Sequence, residues 1–141
     1  MDDKRFGPLE DFNPPVKLKL SALWAAVMFC YVYGDFFGLF MPGRLAQMNQ
    51  GIISPLGPAT PAVMVGVSAM MAVPSLMLFL TLVLRASVSR WANIVTGLAY
   101  TLIMILTLPG APLFYMFLAA IEIPLTLLIA WYALRWPRTP A

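Results

Sequence analysis

Four apolar runs, Ser21 to Met41, Ala62 to Leu84, Trp91 to Leu108 and Leu113 to Leu134, take up most of this chain. Each is close to the ~20 residues that a helix needs to cross a bilayer core, and in lipid only helices and closed barrels satisfy their own backbone. Four spanning helices follow. Composition agrees: 61% of the 141 residues are hydrophobic and 11% charged, with a mean hydropathy of +0.83. An average soluble domain is about 45–50% apolar and about 25% charged. The expected fold class is all-α, a polytopic membrane four-helix bundle forming one domain over 1–141. A tail occupies 1–20 and a loop 42–61, which leaves little room for a soluble catalytic domain.

The basic residues set direction. The tail carries Lys4, Arg5, Lys17 and Lys19, the second connection Arg85 and Arg90, and the C-terminal tail Arg135 and Arg138, whereas the first connection has only Arg44. Eight basic residues thus fall on one side of four spans and one on the other, and the positive-inside rule puts both termini in the cytoplasm. Trp24, Trp91, Trp131 and Trp136 lie near the same ends, where indoles settle at headgroup level. The first run exceeds the 7–15 residues of a secretory h-region, so it reads as an uncleaved signal anchor in a cytoplasmic membrane.

The counts also exclude. The chain has no His and one Cys, Cys30, so metal sites built on His or several Cys are not available, and no metal or cofactor is expected. A pI near 9.3 does not indicate nucleic acid, because the bases sit at helix ends rather than in a patch.

The second and fourth runs align at an offset of 50, matching Pro74 with Pro124, Leu84 with Leu134 and Arg85 with Arg135; the first and third align at 67, matching Trp24 with Trp91, Pro42 with Pro109 and Gly43 with Gly110. Either a small apolar alphabet produces such matches, or the chain is a parallel repeat of two helix pairs, as in several transporters.

Two acids lie inside the spans, Asp35 and Glu122, and no Lys or Arg does. A charge at the bilayer centre costs at least ~2.5 kcal/mol, so each acid must face the bundle, find a partner or keep its proton. At 1.5 Å per residue, Glu122 lies about 15 Å inward from Pro112 and Asp35 about 10 Å inward from Pro42, at similar depth. Either Tyr31, one turn before Asp35, donates a phenolic hydrogen bond to it, or Asp35 simply hydrates near the outer interface. Cys30, Gly34 and Gly38 recur every four residues, the spacing that brings helix backbones close. That ridge serves packing alone, or packing that also positions the acid.

On the fourth run Tyr115, Ala119, Glu122, Thr126, Ala130 and Ala133 form a small, polar stripe expected to turn inward. Pro124 frees the carbonyl of Ala120 and Pro74 that of Met70; two such breaks either build a cavity beside the acids or reflect packing. The candidate ligand or proton site is therefore Asp35, Glu122, Tyr31, Tyr115 and Thr126, with Cys30, Gly34, Gly38, Pro74 and Pro124 as helix-packing positions. Asn93, Gly97, Thr101, Tyr100 and Thr107 give the third run polar faces suited to helix association. In the first connection Leu45, Met48 and Ile52 have near-helical spacing; a short interfacial helix or lid competes there with a disordered loop.

The stretches VKLKLSALWAAVMFCYVYGDFFGLFMPG (Val16 to Gly43), SPLGPAT (Ser54 to Thr60), MAVPSLMLFLTLVLRASVSRWANI (Met71 to Ile94) and YTLIMILTLPGAPLFYMFLAAIEIPLTLLIAWYALRWP (Tyr100 to Pro137) resemble a family of small bacterial four-helix membrane proteins classed as a domain of unknown function. More loosely, the layout is similar to the DoxX-like group, some of whose members accompany respiratory or redox enzymes, a likeness of fold only. The resemblance implies four helices in a bacterial cytoplasmic (inner) membrane and no assigned activity.

Without a Ser/His or Cys/His pair or a metal set, the chemistry left is two carboxyls and several Tyr, too little for a recognisable nucleophilic reaction. The expected role is non-enzymatic: an accessory or scaffold subunit, or a homo-oligomer, binding a partner helix or lipid. The alternative is a small proton-coupled transporter, or a binder of apolar ligands, that uses the intramembrane carboxyls.

Overall fold

The computed structural model describes residues 11–138. Lys4 and Arg5 of the basic tail lie outside the described residues. Four long helices dominate: α1 (Val16–Gly38), α3 (Pro61–Val83), α4 (Ala86–Thr107) and α5 (Leu113–Leu134), with a short α2 (Arg44–Asn49) after α1. The four long helices have the length and composition to cross a membrane. The chain is an all-α, multi-pass membrane protein whose apolar outer faces meet lipid.

Local chemistry sets the helix ends. Pro15, with φ −57° and ψ 152°, stops the chain from being helical before Val16, so α1 starts ahead of the apolar run and takes in Lys17 and Lys19. Lys17 is held there because its Nζ donates to the carbonyls of Leu82 and Leu84 at the end of α3. Arg90, near the start of α4, does the same for α5: its Nε donates to the carbonyl of Ala133 at 3.1 Å and Nη2 to that of Leu134 at 3.5 Å. A helix C-terminus offers unpaired carbonyls and partial negative charge, and a basic side chain satisfies both. These bonds also bring the start of α1, the end of α3, the start of α4 and the end of α5 to one end of the bundle. At the other end Thr60 caps α3, its side chain accepting from the Val63 amide at 3.3 Å, with Pro61 as the first helical residue.

Between Pro42 and Pro61 the chain is ordered into α2 and a two-residue antiparallel pairing, β1 (Ile52–Ile53) with β2 (Gly57–Pro58), in which Ile52 faces Pro58 and Ile53 faces Gly57. A short helix is thus present, though it ends at Asn49, before Ile52. Gly43 and Gly110, each following a Pro, take φ of 79° and 76°. This left-handed geometry is one that glycine adopts without steric cost.

Helix α1 packs on α3 and α5, α4 packs on α5, and α3 and α4 touch more sparsely. The buried core is made by Leu20, Trp24 and Val27 of α1, Met77 of α3, Ile94 and Tyr100 of α4, and Ile129 and Ala133 of α5. It is not spread evenly. No residue of α1 is buried beyond Val27, and none of α3 before Pro74. Helices α1 and α3 thus carry their buried residues at the end of the bundle where α1 starts and α5 ends and have none toward the 42–61 loop, whereas α4 and α5 keep Met104 and Ala119 buried on that side.

Trp24 is not an interface indole. It is fully buried, and its Nε1 donates to Oδ1 of Asn93 at 2.8 Å, because an indole N–H that finds an acceptor inside has no need of the headgroups. Asn93 Nδ2 donates in turn to the Ser89 carbonyl at 2.8 Å, Thr81 Oγ1 sits against the Asn93 amide, and Ser89 Oγ donates to the Thr81 carbonyl at 3.1 Å. One buried polar knot thus ties α1, α3 and α4. Trp91 and Trp131 are exposed, with Arg90 and Arg135 over their rings at 5.6 and 4.8 Å.

Candidate functional site

Pro74 has no amide hydrogen, so the Met70 carbonyl one turn earlier has no helical donor. The hydroxyl of Tyr100, on α4, supplies one. That bond fixes the Tyr100 ring, with Trp24 edge-on at 6.1 Å and Tyr31 tilted beside it at 6.3 Å. The three aromatic rings close the floor of the region where α1 and α3 have no buried residues.

Above that floor lies a cavity of about 130 Å³. Tyr31, Gly34 and Asp35 of α1 and Met70 and Met71 of α3 form one part of its wall. Tyr100, Ile103, Met104 and Thr107 of α4, with Tyr115 and Glu122 of α5, form the rest. Both intramembrane acids therefore border one chamber. Four of the five sequence-derived site candidates meet there: Asp35, Glu122, Tyr31 and Tyr115.

The acids are held differently. Glu122 is only 2% exposed, and its Oε2 is buried without a hydrogen-bond partner among the described residues. Asp35 is an exposed residue at the rim. Tyr31 does not donate to Asp35; its hydroxyl is a second buried polar atom without a partner among the described residues. One turn of helix puts the two side chains on the same side, but Tyr31 turns inward against Tyr100 while Asp35 stays at the edge. The Tyr115 hydroxyl lies 3.0 Å from Thr107 Oγ1 and is thereby engaged.

Thr126 is not part of the chamber wall. Its Oγ1 lies 2.7 Å from that of Thr101 and is within reach of the Glu122 and Ile123 carbonyls at 3.0 and 3.1 Å. The hydroxyl is consumed in joining α4 to α5 and in satisfying its own helix, as Ser and Thr side chains commonly do.

The packing positions divide as well. A Cβ added at Gly34 would meet Leu118 Cδ1 at 3.3 Å, whereas one at Gly38 meets nothing within 4 Å. The small-residue ridge of Cys30, Gly34 and Gly38 therefore does not extend to Gly38, which lies where α1 has left its neighbours. Cys30 is half-buried and free. Among the described glycines the tightest approach is at Gly97, where a Cβ would lie 3.0 Å from the Thr126 carbonyl oxygen and 3.3 Å from the Ala130 nitrogen. Pro74 is buried beside the chamber, while Pro124 is exposed, so the two prolines are not structurally matched. From sequence alone Tyr100 is one of several polar groups of the third run suited to helix association. The signal that marks it is the carbonyl freed by Pro74, which calls for a donor from a neighbouring helix.

Chemically the chamber offers one deeply buried carboxyl, one carboxyl at the rim, three phenols and thioether walls. Its lining holds no pairing of a nucleophile with a base. No group of three or more metal-ligating side chains occurs among the described residues. Residues 10–140 match DUF6326, described as a family of unknown function. No curated protein and no solved structure matches the chain.

Proposed function

Because the chain belongs to that family, which brings no activity with it, we propose its function from the chamber: this small multi-pass membrane protein holds a small solute between its helices, against Glu122 and Asp35. The carrying observation is the Glu122 carboxyl oxygen, buried in a cavity wall without a partner among the described residues. An unsatisfied buried carboxyl oxygen costs on the order of 1–3 kcal/mol or more, and intramembrane acids mark ligand or ion paths. A chamber bordered by two acids favours the solute-binding or transport reading over a purely structural one. The lone basic residue of the 42–61 loop, against eight elsewhere, supports cytoplasmic termini with the chamber opening toward the outer face. The paired left-handed glycines Gly43 and Gly110, and the two basic caps on α3 and α5, favour descent from two parallel helix pairs.

A scaffold or accessory role is the second reading. It is favoured by the ridge of exposed aromatics along α1, where Tyr33 stacks on Phe37 and Phe36 packs edge-on against Phe37 and Phe40. Native mass spectrometry of protein released from its own membrane separates the two. The solute reading expects a small-molecule adduct on the wild type that Glu122→Gln loses. A stoichiometric protein partner, with no adduct on either form, gives the function to the scaffold reading instead.

A further inference from the structure

The ligand class follows from which polar atoms of the chamber remain free. Tyr100 is committed to the Met70 carbonyl and Tyr115 to Thr107. Besides the rim carboxyl of Asp35, that leaves Glu122 Oε2 and the Tyr31 hydroxyl as the two buried polar atoms without partners among the described residues. An ionised carboxylate only accepts, and a phenol both accepts and donates, so an occupant that brings donors satisfies the two.

Charge narrows the class. Among the described residues, two carboxyl groups border the cavity and no Lys or Arg does. Arg44, the lone base of the loop, does not line the cavity, and its Nη1 donates to the Ser54 carbonyl at 2.9 Å. An ionised carboxyl out of water is costly unless a positive charge joins it. The remaining walls suit a cation as well: the faces of Tyr31, Tyr100 and Tyr115 attract one through the ring quadrupole, and the Met70, Met71 and Met104 thioethers are polarisable and adaptable. Size sets the last limit. At about 130 Å³ the chamber is close to the ~150 Å³ cavity that accommodates one benzene, so the occupant has about six heavy atoms.

Resting on the solute-binding reading above, we propose that the Glu122 chamber is a site for a small protonated amine, whose N–H groups reach Glu122 Oε2 and the Tyr31 hydroxyl while its short alkyl part lies against the methionines. A quaternary ammonium has the charge but no donor, and leaves both atoms unsatisfied. A bare metal ion would need several oxygen ligands at short range, which this largely apolar wall does not supply.

The test uses the full chain in zwitterionic phosphatidylcholine nanodiscs at neutral pH, with calorimetric titration against empty discs as the blank. Butylammonium is the probe and 1-butanol its neutral counterpart of equal length. The expected result is saturable binding of butylammonium at least about tenfold tighter than 1-butanol, the scale of one charge-assisted bond. Glu122→Gln is expected to abolish that preference while retaining the wild-type circular dichroism spectrum. If that variant does not fold, Tyr31→Phe decides, since it keeps the ring and is expected to weaken butylammonium without affecting 1-butanol. Equal binding of the two probes overturns the amine class and leaves the solute chamber standing. Binding of neither overturns both. A preference for butylammonium that survives both substitutions overturns the assignment to these two atoms.

Discussion

The hydroxyl of Tyr100 donates to the carbonyl of Met70, the carbonyl that Pro74 leaves without a helical donor. A backbone break on α3 and a phenol on α4 are thus two halves of one feature. It anchors the aromatic floor of the chamber, because the same Tyr100 ring carries Trp24 and Tyr31 at 6.1 and 6.3 Å. A relationship of this kind predicts coupling. Tyr100→Phe is expected to cost about 1 kcal/mol or somewhat more, since it orphans a partly buried carbonyl. In a Pro74→Ala background the new amide restores the helical bond to Met70, and the same substitution should cost little. Unfolding in mixed micelles of the two single variants and the double variant measures the coupling, expected at about 1 kcal/mol. Additive effects would break the link between Pro74 and Tyr100.

Asn93 is the centre of the knot that joins Trp24, Thr81 and Ser89. Asn93→Leu fills a similar volume but leaves the buried Trp24 N–H without an acceptor, so a loss of about 1–3 kcal/mol is expected. Trp24→Phe in the same background removes the orphaned donor and is expected to cost less there than in the wild type. Unfolding midpoints of the two single variants and the double variant test this; a Trp24→Phe change that is as costly in the Asn93→Leu background as in the wild type would refute the coupling.

Run length and the rarity of intramembrane charge made much of this protein legible from residues alone. Helices in lipid must satisfy their own backbone, so four apolar runs translate directly into four long helices, and an acid such as Glu122 stands out because lipid tolerates so few. What stayed hidden depended on which helix faces which. Trp24 obeys the sequence pattern of an interface indole, yet Asn93, distant in sequence, takes it into the core. Thr126 shares the stripe of Glu122, but Thr101 on α4 consumes its hydroxyl. Spacing also cannot tell Gly38, which faces open space, from Gly97, which is pressed against α5. The shared chamber was hidden for the same reason, since it exists only where α1 and α3 lose their buried contacts toward the loop end.

The two glycines therefore separate cleanly in experiment. Gly97→Ala places a methyl 3.0 Å from the Thr126 carbonyl oxygen and 3.3 Å from the Ala130 nitrogen. Both are backbone atoms that move only if α4 and α5 separate. Overpacking of this kind costs about 1–3 kcal/mol. Gly38→Ala meets nothing within 4 Å and gains up to ~1 kcal/mol of helix propensity at the end of α1. Thermal unfolding in detergent should lower the midpoint of the first variant and leave unchanged or raise that of the second. The reverse order would mean that α1, not the α4 and α5 pair, holds the tightest helix contact in the membrane.

The proposed orientation makes the loop the outer face, and its single base gives a direct check. In a Cys30→Ser background, Arg44→Cys puts a thiol in the exposed α2, and Arg138→Cys puts one at the exposed C-terminal end of the described chain. Removing Arg44 takes away the one basic residue that opposes the other eight, so the substitution strengthens the bias it is used to test. A membrane-impermeant maleimide applied to intact cells is expected to label the Arg44→Cys protein at once, and the Arg138→Cys protein only after permeabilisation. Because Lys17 and Arg90 close the ends of α3 and α5 beside the starts of α1 and α4, those four helix ends must share one face of the membrane. Labelling of Arg138→Cys in intact cells would therefore invert the whole bundle and turn the Glu122 chamber toward the cytoplasm.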